Sequence, residues 1–379
     1  MPIKFFKPFK LRDYDFFLIV LVAGIAAIGV FAVGSAEPSL FNKQMYGAIV
    51  GFAVMIILSF IDYHFILKFY WVIYGINIAL LLMVLFMGDS SHNAQRWLKI
   101  GSIKFQPSEL AKILLILFFA QFIMKMREKF NSFRSIALCV LLAMIPIALV
   151  YEQPDLSTTI MLTLIFAIIM FAGKLKFRII LGILAIIIPA VAIFISIAMR
   201  PNSTVLEDYQ MNRILAYQDP DSYPELVYQQ KNSVMAIASG QLDGKGYRNN
   251  EITSVKNGNF LDEDQTDFIF AIVGEEFGFK GAVVVIVLLF LIALECINIG
   301  RRAPDIGGSI IASSVGGLIG FQCFINIGVA TFLLPNTGLP LPFVSYGLTS
   351  LLTLFAGMGI VINVRTQVKR GNASGLDII

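Results

Sequence analysis

Charge is scarce in this sequence. Only 14% of its 379 residues are Asp, Glu, Lys or Arg, against 57% in the hydrophobic set. A soluble domain carries about 25% charged and about 45–50% apolar residues, so a water-exposed globule of this size is excluded. Histidine is nearly absent. His64 and His92 are far apart and share no HExxH or HxxxH spacing, which disfavours a zinc or haem enzyme. Each of the three cysteines, Cys139, Cys296 and Cys323, sits inside an apolar run and reads as a small hydrophobe, not as part of a redox pair. Nucleotide fingerprints are missing too. The run Gly240-Gln241-Leu242-Asp243-Gly244-Lys245-Gly246 has neither Walker nor dinucleotide spacing. ATP-driven transport and hydride transfer are therefore disfavoured, and nothing points to nucleic acid.

What the chain does have is long apolar runs. A bilayer core about 30 Å thick needs about 20 apolar residues in a helix. Spans are expected at roughly 15–34, 45–61, 69–87, 109–126, 136–151, 157–173, 178–199, 279–299, 306–333 and 346–364. The fifth and sixth are short enough to be tilted or re-entrant. Basic residues orient the bundle. With the N-terminus in the cytoplasm, 17 of the 29 Lys and Arg residues fall in inner loops and tails, from Lys4 through Lys125, Lys174 and Arg301 to Arg370. The first run is long for a signal peptide, and removing it would spoil the charge pattern. The expected fold class is an all-α polytopic membrane protein of about ten transmembrane helices. It forms a single integral membrane domain over 1–379, with both termini cytoplasmic and one large extracytoplasmic loop at 200–267.

Three outward segments interrupt the pattern: 88–108, 200–267 and 334–346. The long one holds 11 acidic and six basic residues; a loop of this length is functional or disordered. The last is uncharged but contains Pro335, Gly338, Pro340 and Pro342. Irregular backbone at membrane depth is tolerated only inside protein or beside a wet cavity.

Several charges stand where charge is expensive. Pro107 suits a helix start and Ser108 could cap it. Glu109 and Lys112 share the face that follows. A charge at the bilayer centre costs about 2.5–3.5 kcal/mol on insertion scales, so Lys112 should face the interior with Glu109; the alternative is a pair that snorkels at the interface. Arg96 lies outside, against the positive-inside bias, with a guanidinium fork matched to phosphate; Trp97 beside it reads as an interfacial anchor. Asp267 opens Thr266-Asp267-Phe268-Ile269-Phe270. An acid at the edge of such a stretch is partly desolvated, which raises its pKa and suits a general base. Spacing alone gives equal weight to Asp267, or Thr266, as a simple helix cap. Glu275 lies two turns on, on roughly the face of Asp267.

These pieces resemble the SEDS family (shape, elongation, division and sporulation), which includes RodA and FtsW. The resemblance covers nearly the whole chain. It is carried by Ala94-Gln95-Arg96-Trp97, Gln106-Pro107-Ser108-Glu109 with Lys112, Gln153-Pro154-Asp155-Leu156, and Tyr209-Gln210 with Arg213. It continues through Ala236–Gly240, Gly244-Lys245-Gly246, Thr266–Phe270, Glu275-Glu276 and Leu334–Gly347. Two departures are Leu348, where a second Gly is usual, and Asn336, where Val or Thr is commoner. The version Gly338-Leu339-Pro340-Leu341-Pro342-Phe343-Val344 is closer to the RodA branch.

The resemblance implies a peptidoglycan glycosyltransferase of the bacterial cytoplasmic membrane that polymerises lipid II at the outer face. It maps the catalytic acid onto Asp267 and substrate-binding roles onto Arg96, Glu109, Lys112, Arg213, Glu275 and Ser345. It implies a class B penicillin-binding transpeptidase as partner, with other elongation or division proteins. No cofactor is firmly implied; a divalent cation, Mg or Mn, could offset leaving-group charge, and no ligand set is readable. Two other classes fit the composition, a lipid II flippase or transporter and a non-catalytic scaffold. Against transport, the unusual segments crowd one face and no inverted repeat is visible.

Overall fold

The computed structural model describes residues 14–91, 94–100, 103–182, 208–248 and 264–374, with positions 185, 189 and 261. Helices dominate. They are α1 (Phe16–Ala36), α2 (Phe41–Phe60), α3 (Tyr63–Leu67), α4 (Tyr70–Met87), α5 (Pro107–Lys125), α6 (Phe133–Tyr151) and α7 (Leu156–Ala172). After them come α8 (Asp208–Gln218), α9 (Pro224–Ser239), α10 (Ile269–Arg301), α11 (Ile306–Ala330) and α12 (Leu348–Ser374).

Eight of these segments are long and apolar enough to cross a membrane, and α7, with 17 residues, is a shorter apolar helix. The expected spans therefore have their helices, except the seventh. Most of 178–199 lies outside the described residues. The fifth is a full helix of 19 residues, longer than its apolar run suggested, because Ser132 caps it through a bond to Ser135 N. The all-helical expectation needs one addition. Segment 88–108 contains a small antiparallel sheet, β1 (Asp89–Ser91), β2 (Ala94–Ile100) and β3 (Ile103–Phe105), in the order β1-β2-β3.

Burial sorts the helices into a centre and a periphery. In α5 and α12, 78% of the spanning window is buried, against 22% in α4 and 28% in the segment that ends with α2. Peripheral faces show Ile49, Ile57, Phe86, Phe133 and Phe290 to the surroundings. Such apolar area is ruinous in water and neutral in lipid. Central α5 can then carry polar groups, because its sides meet α4, α7, α11 and α12 and not acyl chains.

Cross-links define the two ends of the bundle. At one, Asp15 pairs with Arg365 at 3.4 Å, and His64 bridges Asp62 (2.9 Å) and Asp305 (2.7 Å). Gln367 of α12 also reaches Asp62. This end carries Lys125, Arg127, Lys174, Arg301 and Arg302, the residues that the basic-residue rule places on the cytoplasmic side. At the other, β2, α9 and segment 331–347 come together.

Candidate active site at the outward end

Segment 331–347 is the organising piece. Leu339, Leu341, Phe343, Val344 and Ser345 are all buried, yet the backbone is not helical until Leu348. Its polar groups are paired from outside. Gln322 Nε2 donates to the Pro340 carbonyl and Asn326 Nδ2 to that of Leu339, both at 2.8 Å. Gln230 donates to Leu334, Gln44 to Ser345, and Ser157 Oγ to Thr337. The segment is irregular backbone buried in protein, as membrane depth demands.

Asp267 is fastened to it. Three consecutive carbonyls before α10 are each held: Gln265 O by Tyr346 N (2.8 Å), Thr266 O by Ser345 Oγ (2.6 Å) and Asp267 O by Asn326 Nδ2 (2.8 Å). The Asp267 carboxylate lies over Gly338, where an added Cβ would stand 3.2 Å from Oδ2. Gly338 has φ +73, a conformation glycine adopts freely and side chains resist. The side chain of Asp267 is partly buried. It does not cap α10 and neither does Thr266. Phe268 holds the N-cap position, with no side-chain capping bond. The segment is tied down through its carbonyls instead.

The other candidate residues arrange themselves around this core. Lys112 Nζ donates to Glu109 Oε1 at 2.7 Å, and both side chains are buried. The pair faces the interior and does not snorkel. Lys112 Nζ also lies 3.4 Å from Gln322 Oε1, so α5 connects through Gln322 to Pro340. Ser108 does not cap α5. Gln106 is the N-cap with no side-chain bond, its N–H donates to Thr349 Oγ1, and Ser108 Oγ is buried. Arg96 donates from Nη2 to the Pro154 carbonyl, tying β2 to the loop before α7. Asp155 of that loop caps α7 at Thr158 N.

Glu275 is buried and pairs with Lys245 of the long outer loop at 2.8 Å. It points to that loop and not along a shared helical face with Asp267, which precedes the helix. The Ser345 hydroxyl both donates to Thr266 O and accepts from Leu341 N at 2.7 Å. Arg213 lies on α8, and its side chain is outside the described residues. Thus Arg96, Glu109, Lys112, Asp267 and Ser345 all link to elements that meet segment 331–347, while Glu275 joins from the far side of α10's first turns.

Sequence reasoning passed over Gln322 and Asn326. They stand four apart in an otherwise apolar span, so the rule that singled out Lys112 could have found them. Lys245 was visible within the Gly244-Lys245-Gly246 match but was given no role there, and no sequence signal marked Ser35, which donates to Glu276.

This combination defines a class: a polytopic membrane protein with a partly buried carboxylate site built on its outward end. The FtsW/RodA/SpoVE family model, described as "Cell cycle protein", matches residues 12–370. A probable peptidoglycan glycosyltransferase FtsW from Geobacter metallireducens is 31% identical, over 95% of this chain and 96% of its own length. Peptidoglycan glycosyltransferase MrdB from Escherichia coli K12 is 33% identical, over 93% of each. Among solved structures, a chain of a peptidoglycan synthase complex that coordinates polymerisation and crosslinking has a TM-score of 0.78 at 29% identity, over 94% of this chain and 98% of its own. Thermus thermophilus rod shape determining protein RodA gives 0.68 at 27% identity, over 93% and 97%. The chain belongs to the FtsW/RodA (SEDS) family, and it is a multi-pass protein of the bacterial cytoplasmic membrane.

Proposed function

We infer that this protein is a peptidoglycan glycosyltransferase, with lipid II, the polyprenyl-diphosphate-linked disaccharide-peptide, as its substrate. Asp267 accepts the proton of the acceptor sugar's 4-hydroxyl. The oxygen attacks C1 of the lipid-linked donor from the face opposite the leaving group, and polyprenyl diphosphate departs with inversion. One base suffices for such a transfer, whereas hydrolysis uses two flanking carboxylates. The observation that carries this reading is the fastening of Asp267: three successive carbonyls held, with a glycine left open against the carboxylate. A base must be positioned before its basicity matters.

The diphosphate needs positive charge. Arg96 keeps guanidinium donors beyond the one given to Pro154, whereas the Lys112 charge is already buried against Glu109. The N-terminal end of α10 adds the positive pole of a helix dipole. Among the described residues, no three His, Cys, Asp or Glu side chains gather in a way that would hold a metal. Mg or Mn belongs to the reading as a companion of the diphosphate, where it would offset leaving-group charge. A class B penicillin-binding transpeptidase is the proposed partner, supported by the likeness to a chain of a polymerising and crosslinking complex. Elongation is the proposed setting, on the RodA-like form of 338–344.

The test is polymerisation of lipid II by the purified protein, with and without the transpeptidase, beside Asp267→Asn. Glycan strands from the wild type and none from Asp267→Asn are expected. Normal strands from Asp267→Asn would remove the base. Lipid II translocation that survives Asp267→Asn while the wild type makes no strands would favour the flippase.

A further inference from the structure

Helix α10 is broken at Gly278 (φ 65, ψ −163), and the break is repaired by another part of the chain. In an unbroken helix, Phe279 N would bond Glu275 O and Lys280 N would bond Glu276 O. Instead Phe279 N donates to Gln241 O (2.8 Å) and Lys280 N to Leu242 O (3.3 Å). The two abandoned carbonyls receive Lys245 N (2.9 Å) and Gly246 N (3.0 Å). Two lost helical bonds are thus replaced by four bonds to loop 241–246. The fit is tight. A Cβ on Gly278 would stand 2.4 Å from Gly244 N, and one on Gly244 (φ +81) 2.2 Å from Glu276 O. Side chains close the joint: Lys245 with Glu275, Glu276 accepting from Ser35 Oγ and Arg248 N, and Arg248 Nη2 donating to Gly34 O.

The result is a separate half-helix, 269–277, about 14 Å long at 1.5 Å per residue. It is buried from Ile269 to Glu276. Asp267 is fastened at its N-terminal end and loop 241–246 at its C-terminal end. The Lys245 ammonium stands at the negative pole, where a cation is favoured. The same outer loop is anchored elsewhere on the site's frame, through Ser233 Oγ to Ala330 O (2.7 Å) and Gln230 to Val329 and Leu334 carbonyls.

We propose that Lys245, Glu275 and Glu276 are positioning residues for Asp267: the outer loop, by stitching the break in α10, fixes the half-helix and through it the carboxylate. This rests on the reading of Asp267 as the base. The half-helix is a stiff rod held at both ends, so a shift at the stitched end moves the other. A misplacement of about 1 Å at a reacting group costs on the order of 100-fold in rate.

The test uses the full chain in nanodiscs with its transpeptidase partner and lipid II. Lys245→Met and Glu275→Gln should lower kcat on the order of 100-fold while KM stays near wild type. The exchange Lys245→Glu with Glu275→Lys should recover much of kcat, because the ion pair is rebuilt across the same joint. A raised KM with normal kcat would make these residues substrate contacts and overturn the proposal. A fall in kcat that follows lost thermal stability, with no recovery in the exchange, would reduce the pair to a fold element and also overturn it. Asp267→Asn is run in parallel. If Asp267→Asn is dead and Lys245→Met fully active, the coupling fails and the base stands; if Asp267→Asn is active, both fall.

Discussion

Glu109→Gln offers a sharp test of how this bundle holds charge. The Lys112 ammonium is buried, 2.7 Å from Glu109 Oε1, and its other polar neighbour is Gln322 Oε1 at 3.4 Å, beyond a good hydrogen-bond length. In Glu109→Gln the buried Lys112 loses its counter-ion. Removing one partner of a buried pair costs about 3–5 kcal/mol, because the survivor is uncompensated. A better-placed Gln322 could return about 1–2 kcal/mol through a charged hydrogen bond. A net loss of about 1–4 kcal/mol is therefore expected. The double variant Glu109→Gln with Lys112→Met removes both charges with little change in volume, and such replacements are often neutral. Thermal unfolding in one detergent should rank the proteins wild type, then the double variant close behind, then Glu109→Gln well below. If Glu109→Gln unfolds with the wild type, Lys112 reaches water. If the double variant is as weak as the single one, the destabilisation comes from lost packing. Either result refutes the reasoning.

Gly338→Ala should be folded but poorly active. It places a methyl 3.2 Å from Asp267 Oδ2 at φ +73, a strain of about 1–3 kcal/mol, and lipid II polymerisation should fall far more than the unfolding midpoint. At the cytoplasmic end, burial pulls the His64 pKa down, but hydrogen bonds to Asp305 and Asp62 and their charges outweigh it and raise the value to about 9. Because that folded value exceeds the ordinary 6.5, the stability it contributes is complete below about pH 6.5 and lost as pH rises through 9. Asp305 is held below its ordinary value, against burial, by bonds from His64 and Tyr63; its contribution is present above the usual carboxylate range and lost as acid protonates it. The gap in unfolding midpoint between wild type and His64→Gln should close between pH 6.5 and 9. A gap that is unchanged at pH 9.5 would show that His64 acts there by packing alone.

Legibility divides by how local each signal is. The spans were readable because bilayer thickness fixes their length. Glu109 and Lys112 were readable as a pair because they stand three apart on a helix. The Lys245–Glu275 pair was not, since 30 residues separate its members and only tertiary folding joins them. Nor was the break at Gly278. The apolar pattern runs on through it, and a lone glycine in a helical pattern is ordinarily tolerated. That the N-cap of α10 is Phe268, and neither Thr266 nor Asp267, was not readable either, because it depends on backbone angles and not on residue type.

The amides Gln322 and Asn326 show why the site and the fold are one problem. Each is buried on α11, and each holds a carbonyl of the irregular segment. In lipid, a bent backbone at this depth would leave carbonyls unpaired at several kcal/mol each. The bend is needed, because a helix through 331–347 could not bring Gly338 against Asp267. Polar side chains in the neighbouring spans resolve the conflict by completing the bonds the bend leaves open. Asn326 does this twice, serving Leu339 on the bent segment and Asp267 itself. The group that stabilises the irregular backbone is therefore the group that places the carboxylate. Selection for a stable membrane fold and selection for a positioned base act here on the same side chain.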